Sequence, residues 1–280
     1  MRKISKSEIV KAVKELYTKA TVILPQDVSE ALKKAYMQEK GIAKEILWQI
    51  IENQEIALED NIPLCQDTGI PVIFIEWGVE VVYEEGEPLD AIYEGVKSAT
   101  KEGYLRASVV NDPIFERKNT TDNTPCIVHF ELKKGDKVKI TVAPKGAGSE
   151  NMSALKMLRP ADGLQGVLNF VLDTVKKANG NPCPPIVVGV GVGGNFEIAA
   201  LLAKKALLRK VGEPNKNPKY AELERKLLEE INSLGIGPMG VGGGVTALAV
   251  HIEYYPCHIA SLPVAVNIQC HSARHAEVEL

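Results

Sequence analysis

The 280-residue sequence carries no excess of one charge sign: 33 Lys and Arg stand against 36 Asp and Glu, a formal net charge of −3. That balance leaves no global basic field and argues against a nucleic-acid partner. No apolar run reaches the roughly 20 residues needed to span a bilayer. The charged start, Met1-Arg-Lys-Ile-Ser-Lys6, has no apolar stretch behind it of the kind a secretory signal needs. The expectation is a cytoplasmic protein with no membrane partner. Cysteine is sparse and odd in number: Cys65, Cys126, Cys183, Cys257 and Cys270. An odd count in a chain of this size without a secretion signal speaks against a disulfide framework. No Cys-x-x-Cys pair occurs, which speaks against a zinc ribbon or a thioredoxin-type redox pair. Internal repeats and low-complexity linkers are also missing.

What is present is an ordinary globular composition, 45% hydrophobic and 25% charged. Mixed-sign runs at 131–139 and 219–230 read as solvated faces. Residues 5–19 predict a helix, with Ser5 and Glu8 as a capping box and Ile9, Val10, Val13, Leu16 and Tyr17 as one stripe. A second helix is expected over 25–53. A Pro/Gly/Asp-punctuated loop at 62–69 then precedes a buried strand at 71–77. Pro88 opens a helix that Gly103 stops. Residues 104–125 lack periodicity, and a loop that long is unusual unless it is functional. Strands are expected at 126–132 and 137–142, joined by the Lys-Gly-Asp turn at 134–136. Then come a Gly-rich stretch at 145–149, a helix at 164–177 and a strand at 185–190. Two helices follow, capped by Asn195 and Asn217. A second Gly-rich stretch at 235–244 and strands at 245–253 and 262–268 complete the pattern. The fold class is therefore α+β (mixed α/β), one domain over 1–280, with helices at the N-terminus and a mainly antiparallel or mixed sheet.

Cysteine context is the first chemical clue. Cys65, Cys183 and Cys270 sit at loop or strand ends, in Pro-Leu-Cys-Gln-Asp-Thr-Gly, Asn-Pro-Cys-Pro-Pro and Asn-Ile-Gln-Cys-His-Ser. Structural cysteines more often lie among apolar residues. Cys126, in Cys-Ile-Val-His-Phe, reads as core, and Cys257 is ambiguous. The three loop cysteines are either unrelated small residues or a metal site. Three thiolates on a four-iron cluster would leave one iron open for Lewis-acid chemistry.

Acid–base candidates are Asp67, which could equally form an Asx turn in Asp-Thr-Gly, and His258, which could be an ordinary partly buried histidine. Arg106 could grip a carboxylate or be a surface residue. The two Gly-rich stretches could present N–H groups to an anion or simply turn tightly. Gly189-Val-Gly-Val-Gly-Gly194 matches G-x-G-x-x-G between a strand and a helix, but the acidic residue expected about 20 positions on is replaced by a loop. Tight helix–strand packing is the simpler account, with a nucleotide-binding oxidoreductase as the competing one.

Read together, six motifs resemble the class I, iron–sulfur fumarases and their tartrate dehydratase relatives. They are Pro63-Leu-Cys-Gln-Asp-Thr-Gly69, Asn119-Thr-Thr-Asp-Asn-Thr-Pro125, Lys145-Gly-Ala-Gly-Ser-Glu-Asn151, Gly191-Val-Gly-Gly-Asn-Phe-Glu197, Gly237-Pro-Met-Gly-Val-Gly-Gly-Gly244 and Leu262-Pro-Val-Ala-Val-Asn-Ile-Gln-Cys270. The resemblance spans nearly the whole chain, and what it implies is a hydro-lyase. Cys65, Cys183 and Cys270 would ligate a [4Fe–4S] cluster with one open iron. Gln66, Asp67, Arg106 and the backbone at Gly146 and Gly148 would contact the substrate. His258 would match the family's active-site histidine, and Asp67 and His258 would handle protons. Ala147 departs from the family's frequent Gly-Gly-Gly. The single-chain relatives continue into a second domain beyond the residue that matches Cys270. The resemblance therefore implies an alpha subunit that needs a separate beta subunit, in an alpha2beta2 assembly acting on a small dicarboxylate (fumarate/malate, or tartrate).

Overall fold

A computed structural model describes residues 2–280 and divides them into two compact units. Unit 1 comprises residues up to Pro25, Asn53–Ala147 and Arg274–Leu280; unit 2 comprises Gln26–Glu52 and Gly148–Ala273. Among the described residues no helix is long and apolar enough to cross a membrane.

Unit 1 begins with β1 (Arg2–Ile4) and α1 (Lys6–Val22). The predicted capping box is present: Ser5 Oγ accepts from the Glu8 amide, and Glu8 reaches back to the Ser5 amide at 2.8 Å. Ile9, Val13, Leu16 and Tyr17 are buried as the 3.6-residue period requires. Later in the unit come β2 (Ile70–Gly78), β3 (Val81–Tyr83), α4 (Pro88–Glu102), β4 (Ile127–Lys133), β5 (Val138–Lys145) and β10 (Ala276–Glu279). The sheet order is β10-β5-β2-β4, and α1 and α4 share a core with its buried residues Ile73, Ile75, Ile140 and Val142. Gly95 lets the two helices close up: a Cβ there would lie 2.8 Å from Val13 Cβ.

The Lys-Gly-Asp turn holds an unexpected connection. β4 and β5 are joined by it but do not pair; β2 lies between them, parallel to β4 and antiparallel to β5. The turn bonds to the end of β2 instead. The amides of Gly78, Val79 and Glu80 donate to the carbonyls of Lys137, Lys133 and Gly135. The loop at 104–125 is irregular as expected and carries a single bridge, Val110 to Asn119.

In unit 2 the long helix expected over 25–53 is two helices, α2 (Gln26–Gln38) and α3 (Gly41–Asp60), the second ending within unit 1. Gly41 at φ 54° takes the left-handed conformation that breaks the helix. Next to it, the buried Glu39 carboxylate accepts from the Val245 amide at 2.6 Å, a tertiary bond that no local pattern announces. Then follow α5 (Ala147–Glu150, from the unit boundary), β6 (Ala154–Leu158), α6 (Gly163–Ala178), β7 (Ile186–Gly193), α7 (Phe196–Ala206), α8 (Pro218–Asn232), β8 (Ala247–Tyr255) and β9 (Leu262–Gln269). Both predicted Asn caps hold: Asn195 Oδ1 accepts from Ile198 and Asn217 Oδ1 from Lys219.

The unit 2 sheet runs β6-β9-β7-β8 and is mixed. Its centre, β7, is buried along almost its whole length because helices cover both faces. Ile186, Val188 and Val190 join the core shared with α6 and α8. The opposite face receives α7 at Gly189 and Gly191. A Cβ on either glycine would drive into the carbonyl oxygens of Ala203 and Ala199. The G-x-G-x-x-G pattern is thus explained by close helix–strand packing.

Candidate functional site

In unit 1 the loop ahead of β2 is pinned at Leu64, whose side chain is buried. Its amide donates to the Thr21 carbonyl at 2.9 Å, and its carbonyl accepts from Asn53 at 3.0 Å. Cys65 follows, half-buried, with its thiol 3.5 Å from Gln66 Oε1; Gln66 itself is exposed. Asp67 is then held by two backbone donors. Oδ1 accepts from the Gly69 amide at 3.0 Å, which is the Asx turn, and Oδ2 accepts from the Ala147 amide at 2.9 Å. The turn and a site carboxylate are therefore compatible in one residue. Gly146 flanks the same carboxylate, since a Cβ there would lie 3.2 Å from Asp67 Oδ2.

Arg106 is exposed at the start of the long loop, and its carbonyl accepts from Asn123 Nδ2 at 3.0 Å. Cys126 is buried at 5% exposure, and burial pushes its thiol up to about 12. That is the behaviour of a core cysteine, as the sequence suggests, and it contrasts with the half-buried Cys65.

Unit 2 brings two of the sequence-predicted cysteines together. Cys183 ends the turn ahead of β7 with φ 57°, a left-handed conformation rare for a non-glycine residue. Its carbonyl accepts from the His271 amide at 3.2 Å, and the His271 ring Nδ1 lies 3.0 Å from the same oxygen. His271 directly follows Cys270, so the end of β9 is tied to the Cys183 turn. Cys270 is half-buried, with Gln269 Nε2 3.9 Å from its sulfur. Gly148 lies in the same unit, where a Cβ would come within 4.0 Å of the Asn181 carbonyl. His258 is exposed in the turn between β8 and β9, not partly buried. Its Nδ1 accepts from the Ala260 amide at 3.1 Å, which leaves the proton of the neutral ring on Nε2. Cys257, also exposed, points its thiol at the Ser261 carbonyl. Among the described residues no three His, Cys, Asp or Glu side chains gather to hold a single metal ion.

Several bonded polar groups are not among the candidates that the sequence marks. Glu150 pairs with the largely buried Lys204 and accepts from Asn267 Nδ2 at 3.1 Å, which braces the Gly-rich stretch against β9. Desolvation lowers the Lys204 ammonium, with Glu150 opposing. In unit 1, Lys145 and Arg274 are both buried, and Arg274 Nη2 donates to the Asp67 carbonyl at 2.5 Å. Lys145 opens a Gly-rich motif, whereas nothing local marks Arg274.

Comparison with known proteins finds relatives over nearly the whole chain. The sequence model described as Fumarate hydratase (Fumerase) matches residues 10–279. A Methanocaldococcus jannaschii protein named "Putative L(+)-tartrate dehydratase subunit alpha" is 50% identical over 274 residues, covering 96% of each chain. The "L(+)-tartrate dehydratase subunit alpha" of Escherichia coli (strain K12) is 33% identical over 281 residues, covering 98% of this chain and 92% of that one. The protein of the same name from Escherichia coli O157:H7 is 34% identical over 281 residues.

Proposed function

We propose, from the premise that this chain belongs to the fumarate hydratase (Fumerase) family of hydro-lyases, that it is the alpha subunit of an iron–sulfur enzyme interconverting fumarate and malate. The observation that carries the reading is the His271 link between Cys183 and the strand end bearing Cys270, alongside an equally accessible Cys65 in unit 1. Thiols at loop and strand ends suit thiolate ligation, which a core thiol such as Cys126 does not. Cys65, Cys183 and Cys270 would hold the [4Fe–4S] group. When bound, its one iron without a thiolate supplies Lewis acidity toward the substrate hydroxyl.

The remaining work falls to the chain's own side chains and to a beta subunit. Arg106 grips one substrate carboxylate through its guanidinium fork. Gln66 and the N–H groups around Gly146 and Gly148 orient the dicarboxylate. Dehydration of malate removes a proton from the carbon next to a carboxylate and hydroxide from its neighbour. Cations around that carboxylate stabilise the charge that develops there. Asp67, fixed by two N–H donors, and the exposed His258 are the two candidates to carry the proton. The alpha2beta2 assembly is the arrangement in which partner cations complete the grip.

A second reading is tartrate dehydration, favoured by the names of the relatives. Tartrate carries one more hydroxyl than malate, and a site that hydrogen-bonds that group rejects an analogue without it strongly. The deciding experiment is anaerobic reconstitution of the chain with its beta subunit, iron and sulfide. It is followed by assays on malate, fumarate and tartrate. Turnover of fumarate and malate well above tartrate supports the first reading, the reverse ratio supports the second, and no turnover of any of them sinks both.

A further inference from the structure

Arg274 stands out as a cation that the fold of unit 1 buries without a carboxylate. It is 5% exposed, its Nη2 donates to the Asp67 main-chain carbonyl at 2.5 Å, and its Nε and Nη1 have no hydrogen-bond partner among the described residues. A guanidinium cannot shed its proton to escape this situation. A buried charge so poorly compensated is a poor device for stability; an apolar side chain of similar volume would serve better. Its hydrogen bond goes to the peptide that carries Asp67.

The surroundings repeat the pattern. Tyr17, fully buried on α1, has its phenol pushed up by burial and pulled down by the Arg274 charge, so the two side chains are electrostatic neighbours. The Tyr17 hydroxyl accepts from Asn123 Nδ2 at 3.4 Å. Asn123 is itself fully buried, in the left-handed region at φ 59°. Its Nδ2 also donates to the Arg106 carbonyl at 3.0 Å, and its Oδ1 accepts from the Ser108 amide at 2.7 Å. Asp67 and Arg106 therefore both sit on backbone held from inside unit 1 by buried polar side chains, Arg274 for the first and Asn123 for the second.

We propose that a buried polar spine holds the candidate groups of unit 1 from within: Arg274 positions Asp67 through its main-chain carbonyl without touching substrate, and Asn123, bonded to Tyr17, positions the backbone of Arg106. This rests on the assignment of Asp67 and Arg106 to the site. It adds three positioning residues, Tyr17 on α1, Asn123 in the long loop and Arg274 just ahead of β10, of which only Asn123 lies within one of the six motifs.

The test has one readout that needs no substrate. In the full-length, metal-free chain the Gly69 and Ala147 amides report the Asp67 carboxylate, because both donate to it. Arg274→Gln is expected to speed hydrogen exchange at these two amides about tenfold while β7 amides keep their protection. In the reconstituted enzyme it is expected to lower kcat about tenfold with KM within about threefold, and Arg274→Lys to recover most of the loss. Wild-type exchange at Gly69 and Ala147 in Arg274→Gln overturns the proposal, as does a change in KM alone. If exchange along β2 shows that Arg274→Gln unfolds unit 1, Asn123→Ala decides instead. The Ser108 amide should then exchange about tenfold faster, and an unchanged rate overturns the spine. If the enzyme turns over none of the dicarboxylates, the functional assignment fails while the exchange result still stands or falls by itself.

Discussion

Units 1 and 2 hold reactive side chains still by different means. In unit 1 the candidate groups lie on loops, and each loop is fixed by polar side chains bonding to main chain: Asn53 to Leu64, Arg274 to Asp67, and Asn123 to Arg106 and Ser108. In unit 2 Cys183 and Cys270 flank the buried strands β7 and β9, so packing anchors the strands while the His271 contacts to the Cys183 carbonyl tie their ends together. Hydrogen bonds from side chains allow a loop to bend around a ligand while keeping its orientation. A sheet with helices on both sides gives up very little, because interiors pack at close to crystalline density.

The largest effect expected from breaking this division is at the cysteines. Cys183→Ala or Cys270→Ala, and equally Cys65→Ala, should abolish the bound iron and reduce turnover by about 10³-fold or more. Cys126→Ala should keep the iron, measured by colorimetric iron content and visible absorbance, and cost only about 1 kcal/mol of stability. Full iron occupancy in Cys183→Ala would refute the ligand set. Next in size is Asp67→Asn, which keeps the Oδ1 acceptor for the Gly69 turn but removes the carboxylate. A loss of about 10²- to 10³-fold in kcat is expected, and unchanged kcat would remove Asp67 from proton handling.

Gly191→Ala probes the stiff support directly. The added methyl meets the Ala199 carbonyl, so unit 2 should lose about 3 kcal/mol as α7 is pushed off β7, read as a lowered thermal midpoint. An unchanged midpoint would mean that α7 yields easily and the contrast between the units is overdrawn. Arg106→Ala should cost about 10²-fold in kcat/KM with the beta subunit present, in keeping with one charge-assisted carboxylate contact. Wild-type rates would take Arg106 out of the site.

The smallest effect is a pH dependence in unit 2. His251 is 2% exposed, and burial lowers its imidazole from 6.5 to about 4. The unfolded chain binds the proton more readily, so this contribution is complete above pH 6.5 and is lost as pH falls toward 4. At pH 5 the loss should be about 2 kcal/mol. A variant such as His251→Asn, with no titrating group, should show a flatter denaturation midpoint between pH 7 and 5; an equally steep profile would assign the acid sensitivity elsewhere.

The elements written in local code were legible from the residues alone. The Ser5–Glu8 box, the Pro88 start and Gly103 stop, the Asn195 and Asn217 caps and the Cys126 core position need only neighbours a few residues away. The short strands β1, β3, β6 and β10 were not legible, because three to five residues carry too little periodicity to stand out. The break between α2 and α3 has a local mark in Gly41, but a single glycine is also tolerated inside a helix, and the bond from Val245 to the neighbouring Glu39 is a distant contact that local sequence does not show.

The sequence by itself determined the family, through six ordered motifs, and marked the three loop cysteines, Asp67 and Arg106 as worth watching. Only the tertiary structure decided that β2 inserts between β4 and β5, that His271 ties Cys183 to the end of β9, and that Arg274 is buried beneath Asp67. The reason is range. Caps, turns and helical periods are short-range interactions that a linear string displays. A hydrogen bond across 207 positions depends on how the whole chain closes, which no local pattern records.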